Sequence, residues 1–302
     1  MSKKVLLILA LIVVVLAAII GGVRWRKGRG EKSGNANNMS KALQNMDPSQ
    51  VGEIEIKKDE SVIALARQDG AWRVDGKRAD AELVQKALDT LRTSAYEGPI
   101  SRNPENFERL GVGDEGLLIS LRVEDTRIAF RVGKSGPTYS SSYVKIEGKD
   151  EVYLANANLS LVFPLLIDSW RNKTIVNIDP AALDTITYRM QGATIKTYHK
   201  DGDTWEVSAG AATVAAGNAE METLIAALHP LKATGFIDTE KDKATFAQKE
   251  AKGIIISFKG SLEADSGEVT LVKQQNVWWI RAAGEDEIFT LSDSFAKSLA
   301  IP

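Results

Sequence analysis

Cysteine is absent from this 302-residue sequence, and only two histidines, His199 and His229, are present. Without cysteine, the chain has no disulfide, no thiolate zinc site, no iron–sulfur cluster, no cysteine nucleophile and no lipid-modified cysteine. Two histidines exclude a multi-histidine metal site. Strong charge is also lacking, since the formal net charge is −2, whereas nucleic-acid-binding domains usually present a basic face. We therefore predict no metal, no cofactor and no nucleic-acid partner.

The N-terminus carries a long apolar run. Val5–Ile20 contains sixteen residues without a charge, and extension to Val23 gives nineteen. As a helix, this run would span about 28 Å, close to the roughly 30 Å hydrocarbon core of a bilayer. No small-residue cleavage site closes the run, which favours an uncleaved signal-anchor over a cleaved signal peptide. We predict that residues 1–23 are an N-terminal tail and a single transmembrane anchor.

Basic residues flank the apolar run on both sides. Lys3 and Lys4 precede it, and five arginines and lysines follow between Arg24 and Lys32. A simple count by the positive-inside rule places the C-terminal side in the cytoplasm, whereas a short N-terminal tail before a large domain usually exports that domain. The two arguments conflict. Gly28–Asn38 is rich in glycine and asparagine, so we predict that residues 24–50 form a basic collar and a flexible stalk. Within this range, Met39–Met46 can form a short helical turn, and Pro48 starts the ordered part.

The rest of the chain repeats one pattern. An Asp-Gly turn is followed by Trp72, and a second such turn is followed by Trp205, 133 positions later. Asp80–Thr93 has the apolar spacing of a helix, and Asn218–Leu231 repeats it. Other apolar and aromatic positions recur at offsets of 132 to 140. A recurrence of this length indicates two copies of one structural unit.

The first copy predicts antiparallel strands followed by a closing helix or helix pair. Asp80 is a candidate N-cap for the central helix. The meander strands are predicted at Leu117–Val123, Arg127–Val132, Ser142–Ile146 and Val152–Leu154, and the closing helices at Asn156–Trp170. We therefore predict an α+β fold, in which the N-terminal transmembrane helix is followed by two tandem copies of one module of antiparallel strands and helices, at residues 51–178 and 179–302.

The short motifs that resemble chemical sites are incomplete. Gly133-Lys134-Ser135 resembles the end of a phosphate-binding loop, but Ile128 stands where the pattern needs glycine, which favours a hairpin turn. The hydroxyl-rich segment Thr138–Tyr143 has no histidine near it in sequence. Asp201-Gly202-Asp203 lacks the further oxygen ligands of a calcium loop. No catalytic, cofactor-binding or metal-binding residue is predicted, and we expect the protein not to be an enzyme.

The adjacent residues Trp278 and Trp279 supply one candidate contact. Neighbouring residues on a strand point to opposite faces of the sheet. Trp279 aligns with Tyr143 of the first copy, which predicts a core position, so Trp278 is predicted to face outward or toward the other module. Because aromatic side chains are enriched at protein interfaces, Trp278 is a candidate partner contact.

The order of the motifs resembles a known bacterial family. The motifs are a D-G-x-W hairpin (Asp69–Trp72), an F-x-x-L-G segment (Phe107–Gly111), a strand that ends in Val132-Gly133, and a W-R-N-K tail (Trp170–Lys173). This order resembles the bacterial family of domain of unknown function 4340 over residues 51–176, and more loosely over 183–299. The second copy departs from the pattern, because Lys273 replaces the strand-end glycine and the W-R-N-K tail is missing.

The resemblance implies a domain that is held at the cell envelope by one N-terminal helix. Some family members occur with, or fused to, auxiliary subunits of gliding-motility-type ABC transporters, and no catalytic residues are implied. The resemblance thus favours a single-pass protein of the bacterial inner membrane with periplasmic modules. We expect a non-enzymatic accessory or scaffold subunit of an ABC-type transporter or other envelope complex, with an integral-membrane protein partner. The alternative is a module that binds an envelope lipid or glycan between the two repeats, which predicts an apolar or aromatic cleft at their junction.

Overall fold

The computed structural model describes residues 39–261 and 265–301. The described chain folds into two nine-stranded antiparallel sheets with helices packed on them, which agrees with the predicted α+β class. The predicted anchor at residues 1–23 and most of the predicted stalk lie outside the described residues. Within the described ranges, no helix is long and apolar enough to cross a membrane.

The first sheet contains the first nine strands along the chain. They are β1 (Val51–Lys58), β2 (Ser61–Gln68), β3 (Ala71–Val74), β4 (Lys77–Arg78), β5 (Tyr96–Ser101), β6 (Leu117–Val123), β7 (Thr126–Ser135), β8 (Ser142–Ile146) and β9 (Val152–Ala155). The spatial order is β4-β3-β2-β1-β6-β7-β8-β9-β5. The four predicted meander strands therefore correspond to β6 to β9.

The second sheet follows a short connecting ribbon. The remaining strands are β10 (Thr174–Val176), β11 (Leu183–Met190), β12 (Ala193–Asp201), β13 (Thr204–Ala209), β14 (Ala212–Ala215), β15 (Leu231–Lys232), β16 (Gly235–Ile237), β17 (Ile254–Gly260), β18 (Gly267–Gln274), β19 (Val277–Ala282) and β20 (Ile288–Ser292). Strand β10 pairs with β15, and the other nine have the order β14-β13-β12-β11-β17-β18-β19-β20-β16.

The two sheets have the same strand order, with β11 to β14 in the places of β1 to β4, β16 in that of β5, and β17 to β20 in those of β6 to β9. Trp72 and Trp205 lie at equivalent places on β3 and β13. The N–H of Ala79 donates to the carbonyl of Trp72 at 2.9 Å, and the N–H of Ala216 donates to that of Trp205 at 2.8 Å. This correspondence agrees with the repeat that the sequence predicts.

Eight α-helices lie in the described ranges. They are α1 (Met39–Gln44), α2 (Ala81–Thr93), α3 (Phe107–Leu110), α4 (Leu159–Val162), α5 (Ile167–Trp170), α6 (Asn218–Leu228), α7 (Glu240–Lys249) and α8 (Asp293–Ser298). As predicted, Asp80 caps α2, since its Oδ1 accepts the N–H of Leu83 at 3.0 Å. One face of α2 is buried on the first sheet, through Val84, Ala87, Leu88 and Leu91.

Two predictions about element boundaries are wrong. The second predicted helix, Asn218–Leu231, ends at Leu228, and Leu231 instead lies on β15. Pro230 has no backbone N–H to donate to a further helical turn, which accounts for the early end. The sequence Gly98-Pro99 predicts a break in the chain, but β5 runs through both residues at the edge of the sheet, with an irregular register against β9 between Glu97 and Ser101, and a missing backbone donor is tolerated there.

The ordered part of the first module begins earlier than predicted. Residues 39–50 belong to the predicted stalk, with Pro48 as the first ordered position, but the helical turn predicted at Met39–Met46 is confirmed by α1. Leu43 and Met46 are buried in the main core of the first sheet, and Gln44 Nε2 donates to the carbonyl of Ser94 at 3.1 Å. Apolar burial therefore holds α1 against the module.

Candidate functional site

Trp278 and Trp279 lie on β19 and face opposite sides of the second sheet. Trp279 is buried in a small cluster with Phe246 of α7, so its predicted core position is confirmed. Trp278 is partly buried and packs against the main core of the second module. Its predicted direction, outward or toward the other module, is wrong, because Trp278 packs on the core of its own module beside Asp293 of α8. Whether Trp278 contacts a partner stays a prediction.

The indole of Trp278 is held by polar neighbours at the edge of this core. Its Nε1–H donates to Asp293 Oδ1 at 3.1 Å, and Lys273 Nζ lies 5.2 Å from the centroid of its ring. Hydrogen bonds from Lys273 and Trp278 lower the pKa of Asp293 below its ordinary value. A partner that contacts Trp278 would therefore meet a half-covered indole beside an ion pair, and not a free aromatic ring.

The other motifs from the sequence lie in structural contacts. Gly133 lies within β7, two residues before its end, where a Cβ would clash with the carbonyl oxygen of Leu110, so glycine permits the close approach of the neighbouring loop. Ser141 Oγ donates to the carbonyl of Thr138 at 2.8 Å, which uses this hydroxyl within a turn. His229 Nδ1 lies 2.9 Å from the carbonyl oxygen of Ile178. In the described ranges, no group of three or more acidic or histidine side chains is arranged for a metal ion.

Arg171 closes the boundary between the two modules. The side chain of this residue, from the W-R-N-K segment, is 3% exposed. It donates to Asp238 Oδ2 at 2.6 Å and Oδ1 at 3.2 Å, and a further bond reaches Glu287. The guanidinium carbon lies 3.4 Å from the ring centroid of Phe236. This contact is polar and closed, unlike the apolar cleft that the ligand-binding alternative predicts.

The backbone of the same segment covers the edge of the first sheet. Asn172 N–H donates to the carbonyl of Arg78 on β4 at 2.9 Å, and Arg171 forms an antiparallel bridge with Ala79. The chain then continues into β10, which pairs with β15 of the second module. The W-R-N-K segment therefore completes one sheet and joins it to the next module.

An exposed apolar surface lies on the α4–α5 segment of the first module and on the loop bonded to it. It comprises Tyr139, Leu161, Leu166 and Ile167, which are 77%, 64%, 71% and 38% exposed. Asn158 Nδ2 donates to the carbonyl of Tyr139 at 2.9 Å, which joins the loop to the segment. Single exposed apolar residues are ordinary, whereas a contiguous exposed apolar patch is a candidate interaction site.

A cavity of about 250 Å³ lies beside this surface. Its apolar walls include Leu117, Val132, Phe163 and Leu165, and Lys58, Lys134 and Glu115 also line it. Lys134 Nζ donates to the carbonyl of Arg109 at 3.1 Å. The cavity can accept an apolar side chain from a partner that docks on the exposed apolar surface.

Helix α1 and the loop before the α4–α5 segment both bond to the end of α2. Gln44, the last residue of α1, is bonded to Ser94, and the N–H of the next residue, Ala95, donates to Asn156 Oδ1 at 2.9 Å. Asn156 lies three residues before α4. The C-terminal end of α1 therefore lies at the end of α2, and the residue that follows there bonds to the loop before α4.

This surface is not among the predicted sites. Asn156–Trp170 is predicted only as a closing helix or helix pair, and within it Phe163 and Trp170 are fully buried. Residues 161–167 form an apolar run without a polar position. A helix that buries one face needs fewer apolar residues than this run supplies. This excess of apolar residues is the sequence signal that indicates an exposed apolar surface.

Comparison with known proteins gives one family match. A model described as a domain of unknown function, DUF4340, matches residues 72–251, which is more than half of the chain. The matched range starts at Trp72 and crosses the boundary that Arg171 closes. No curated protein and no solved structure matches the chain.

Proposed function

The chain belongs to the DUF4340 family, and we propose that it is a non-enzymatic, membrane-tethered accessory subunit of an ABC-type transporter or other envelope complex. In this proposal, residues 1–23 form a single-pass anchor in the bacterial inner membrane, and the two tandem modules are periplasmic. A tether raises the effective concentration of the modules near a membrane partner. The proposal depends chiefly on the exposed apolar surface of the α4–α5 segment and its neighbouring loop.

The composition of the exposed apolar surface suits a protein partner. Leu161 and Leu166 project from a segment whose buried side is fixed by Phe163 and Trp170. The binding of a partner would therefore cost little conformational entropy of this segment. Tyr139 adds an aromatic side chain of the kind that is enriched at interfaces. We assign this surface to an integral-membrane protein that extends above the bilayer.

The closed junction favours a scaffold over the ligand-binding alternative. Arg171 pairs with Asp238 and Glu287 between the modules, so the contact at that point is polar, whereas the alternative predicts an apolar or aromatic cleft. A buried ion pair with several hydrogen bonds also limits hinge motion between the modules. Trp278 remains a second candidate contact in this proposal.

The test is photocrosslinking of the full-length protein in intact cells. A photoreactive residue at Leu161 should crosslink to one integral-membrane protein, identified by mass spectrometry. Val62 is the matched control, because it is an apolar residue that is 51% exposed. Its buried neighbour Ile63 faces the main core, so Val62 lies on the opposite face of the first sheet. The double variant Leu161→Glu, Leu166→Glu should lose co-purification of the same partner in mild detergent, whereas Val62→Glu should keep it.

Two results would overturn this proposal. One is an equal crosslink from positions 161 and 62, which would indicate random collision. The other is recovery of the unmodified chain without any membrane partner under conditions that preserve its fold. The predicted topology has its own test, in which protease added to spheroplasts should digest the modules, while protection of the modules would place them in the cytoplasm.

A further inference from the structure

Equivalent edges of the two sheets are protected in different ways. The edge strand β4 of the first sheet is two residues long and basic, and the W-R-N-K segment covers its outer side. The edge strand β14 of the second sheet is longer, and all four of its residues are exposed. No charged residue lies between Glu206 and Glu220. Natural proteins usually protect a sheet edge with charge, proline or a covering segment.

The position that the W-R-N-K segment covers in the first sheet is open in the second. Ala79 and Ala216 are equivalent, since each donates its N–H to the tryptophan of the preceding strand. Arg78, whose carbonyl accepts from Asn172, is therefore equivalent to Ala215. The second copy has no W-R-N-K tail, and β14 ends the order of its sheet. Across the described residues, no other strand pairs with its outer side.

The ladder between β13 and β14 determines which backbone groups point outward. Ala216 N–H donates to the carbonyl of Trp205 on the β13 side. In an antiparallel pair, residues alternate between facing the partner strand and facing away from it. Val214, two residues before Ala216, therefore also bonds toward β13, and Thr213 and Ala215 direct their N–H and C=O groups away from the sheet.

We propose that β14 pairs antiparallel with β14 of a second copy of this chain, around a two-fold axis at Val214. Directly opposite residues in an antiparallel pair have their side chains on the same face of the sheet. A two-fold axis perpendicular to the sheet satisfies this condition only when one residue lies opposite the same residue of the second copy. With Val214 at the axis, Thr213 of each copy lies opposite Ala215 of the other copy. These two pairs give roughly four backbone hydrogen bonds. With Thr213 at the axis, Ala215 would oppose the turn residue Ala211, and half of these bonds would be lost.

A second copy suits this edge in charge and in packing. The uncharged segment between Glu206 and Glu220 means that two apposed copies meet no like-charge repulsion along the strand. Val214 pairs with Val207, and Val207 packs against the main core of the second module. Two opposed Val214 side chains would extend that apolar row from one core to the other.

The absence of cysteine makes a direct test available. The full-length Val214→Cys variant, oxidised mildly in its native membranes, should form a disulfide-linked dimer. Directly opposed Cβ atoms in such a pair are roughly 4.5–5.5 Å apart, close enough for a disulfide after a small adjustment. Lys77→Cys is the matched control, because Lys77 pairs with Val74 as Val214 pairs with Val207, and it should remain monomeric.

A second variant separates edge pairing from collision. Ala215→Pro, added to Val214→Cys, removes an outward N–H and leaves the ladder to β13 intact, so the dimer should be lost while the urea unfolding curve stays the same. A Val214→Cys protein that remains monomeric although maleimide labels its thiol would overturn the proposal. A dimer that survives Ala215→Pro, or that forms equally in Lys77→Cys, would also overturn it. These outcomes do not depend on the exposed apolar surface, which belongs to the other module.

Discussion

Arg171 and Asp238 face each other across the module boundary, and the guanidinium donates to both carboxylate oxygens, at 2.6 Å and 3.2 Å. A paired geometry of this kind fixes the orientation of both groups as well as their distance. Arg171 follows α5 of the first module, and Asp238 follows β16 of the second. The pair therefore determines how one module sits on the next.

Loss of the guanidinium should destabilise the whole chain. Arg171→Met keeps an apolar side chain over Phe236 but leaves Asp238 and Glu287 without their cation. We expect the free energy of unfolding to fall by roughly 3 kcal/mol, at the low end for a buried ion pair because Asp238 is half exposed. Urea unfolding of the full-length protein in detergent measures this change.

Arg78→Ala is the control for that variant. Arg78 and Glu285 also form an ion pair at 3.6 Å, but both side chains are well exposed, so the loss should be below about 1 kcal/mol. Equal losses of unfolding free energy in Arg171→Met and Arg78→Ala would show that burial does not increase the contribution of Arg171 to stability.

Acid should weaken the same contact. The hydrogen bond from Arg171 holds the pKa of Asp238 below its ordinary value. A carboxyl group with a lowered folded-state pKa contributes stability that is present above its unfolded pKa of about 3.9 and is lost as the pH falls through the lowered value. Unfolding free energies measured from pH 7 to pH 3 should therefore drop more steeply below about pH 4 in the natural protein than in Arg171→Met. Identical profiles would contradict this assignment.

The two equivalent tryptophans should differ in their contributions. Trp72 is 6% exposed in the first core, whereas Trp205 is only partly buried against the second. Trp72→Ala should lower the free energy of unfolding by about 3–5 kcal/mol, and Trp205→Ala by less, because less apolar surface and a smaller cavity are involved. Parallel denaturant titrations of both variants decide this, and a larger loss for Trp205→Ala would contradict it.

The hydroxyl of Tyr188 should hold the C-terminal segment. It donates to the carbonyl of Leu299 at 2.6 Å in a buried position, and burial raises the pKa of Tyr188, so it remains a donor. Tyr188→Phe leaves that carbonyl without its partner, which should cost about 1–3 kcal/mol and speed carboxypeptidase digestion. Tyr139→Phe, on an exposed side chain, should change neither quantity, and faster digestion in both variants would contradict a specific role for Tyr188.

The sequence alone determined the local elements and their recurrence. Asp80 predicted the start of α2, and the apolar pattern predicted the four strands β6 to β9, because caps, turns and periodicity depend on residues a few positions apart. The spacing of Trp72 and Trp205 predicted the repeat for the same reason, since each tryptophan lies directly after its own turn. The family resemblance also came from this order of short motifs.

Only the tertiary structure decided which surfaces are covered. Nothing near Arg171 in sequence indicates its pairing with Asp238, 67 positions later, and nothing near Trp278 indicates that it packs on the core of its own module. The exposure of Leu161 and the open side of β14 likewise depend on which distant segment packs there. Burial and edge pairing are contacts between parts of the chain far apart in sequence, so a local pattern specifies an element but not its neighbours.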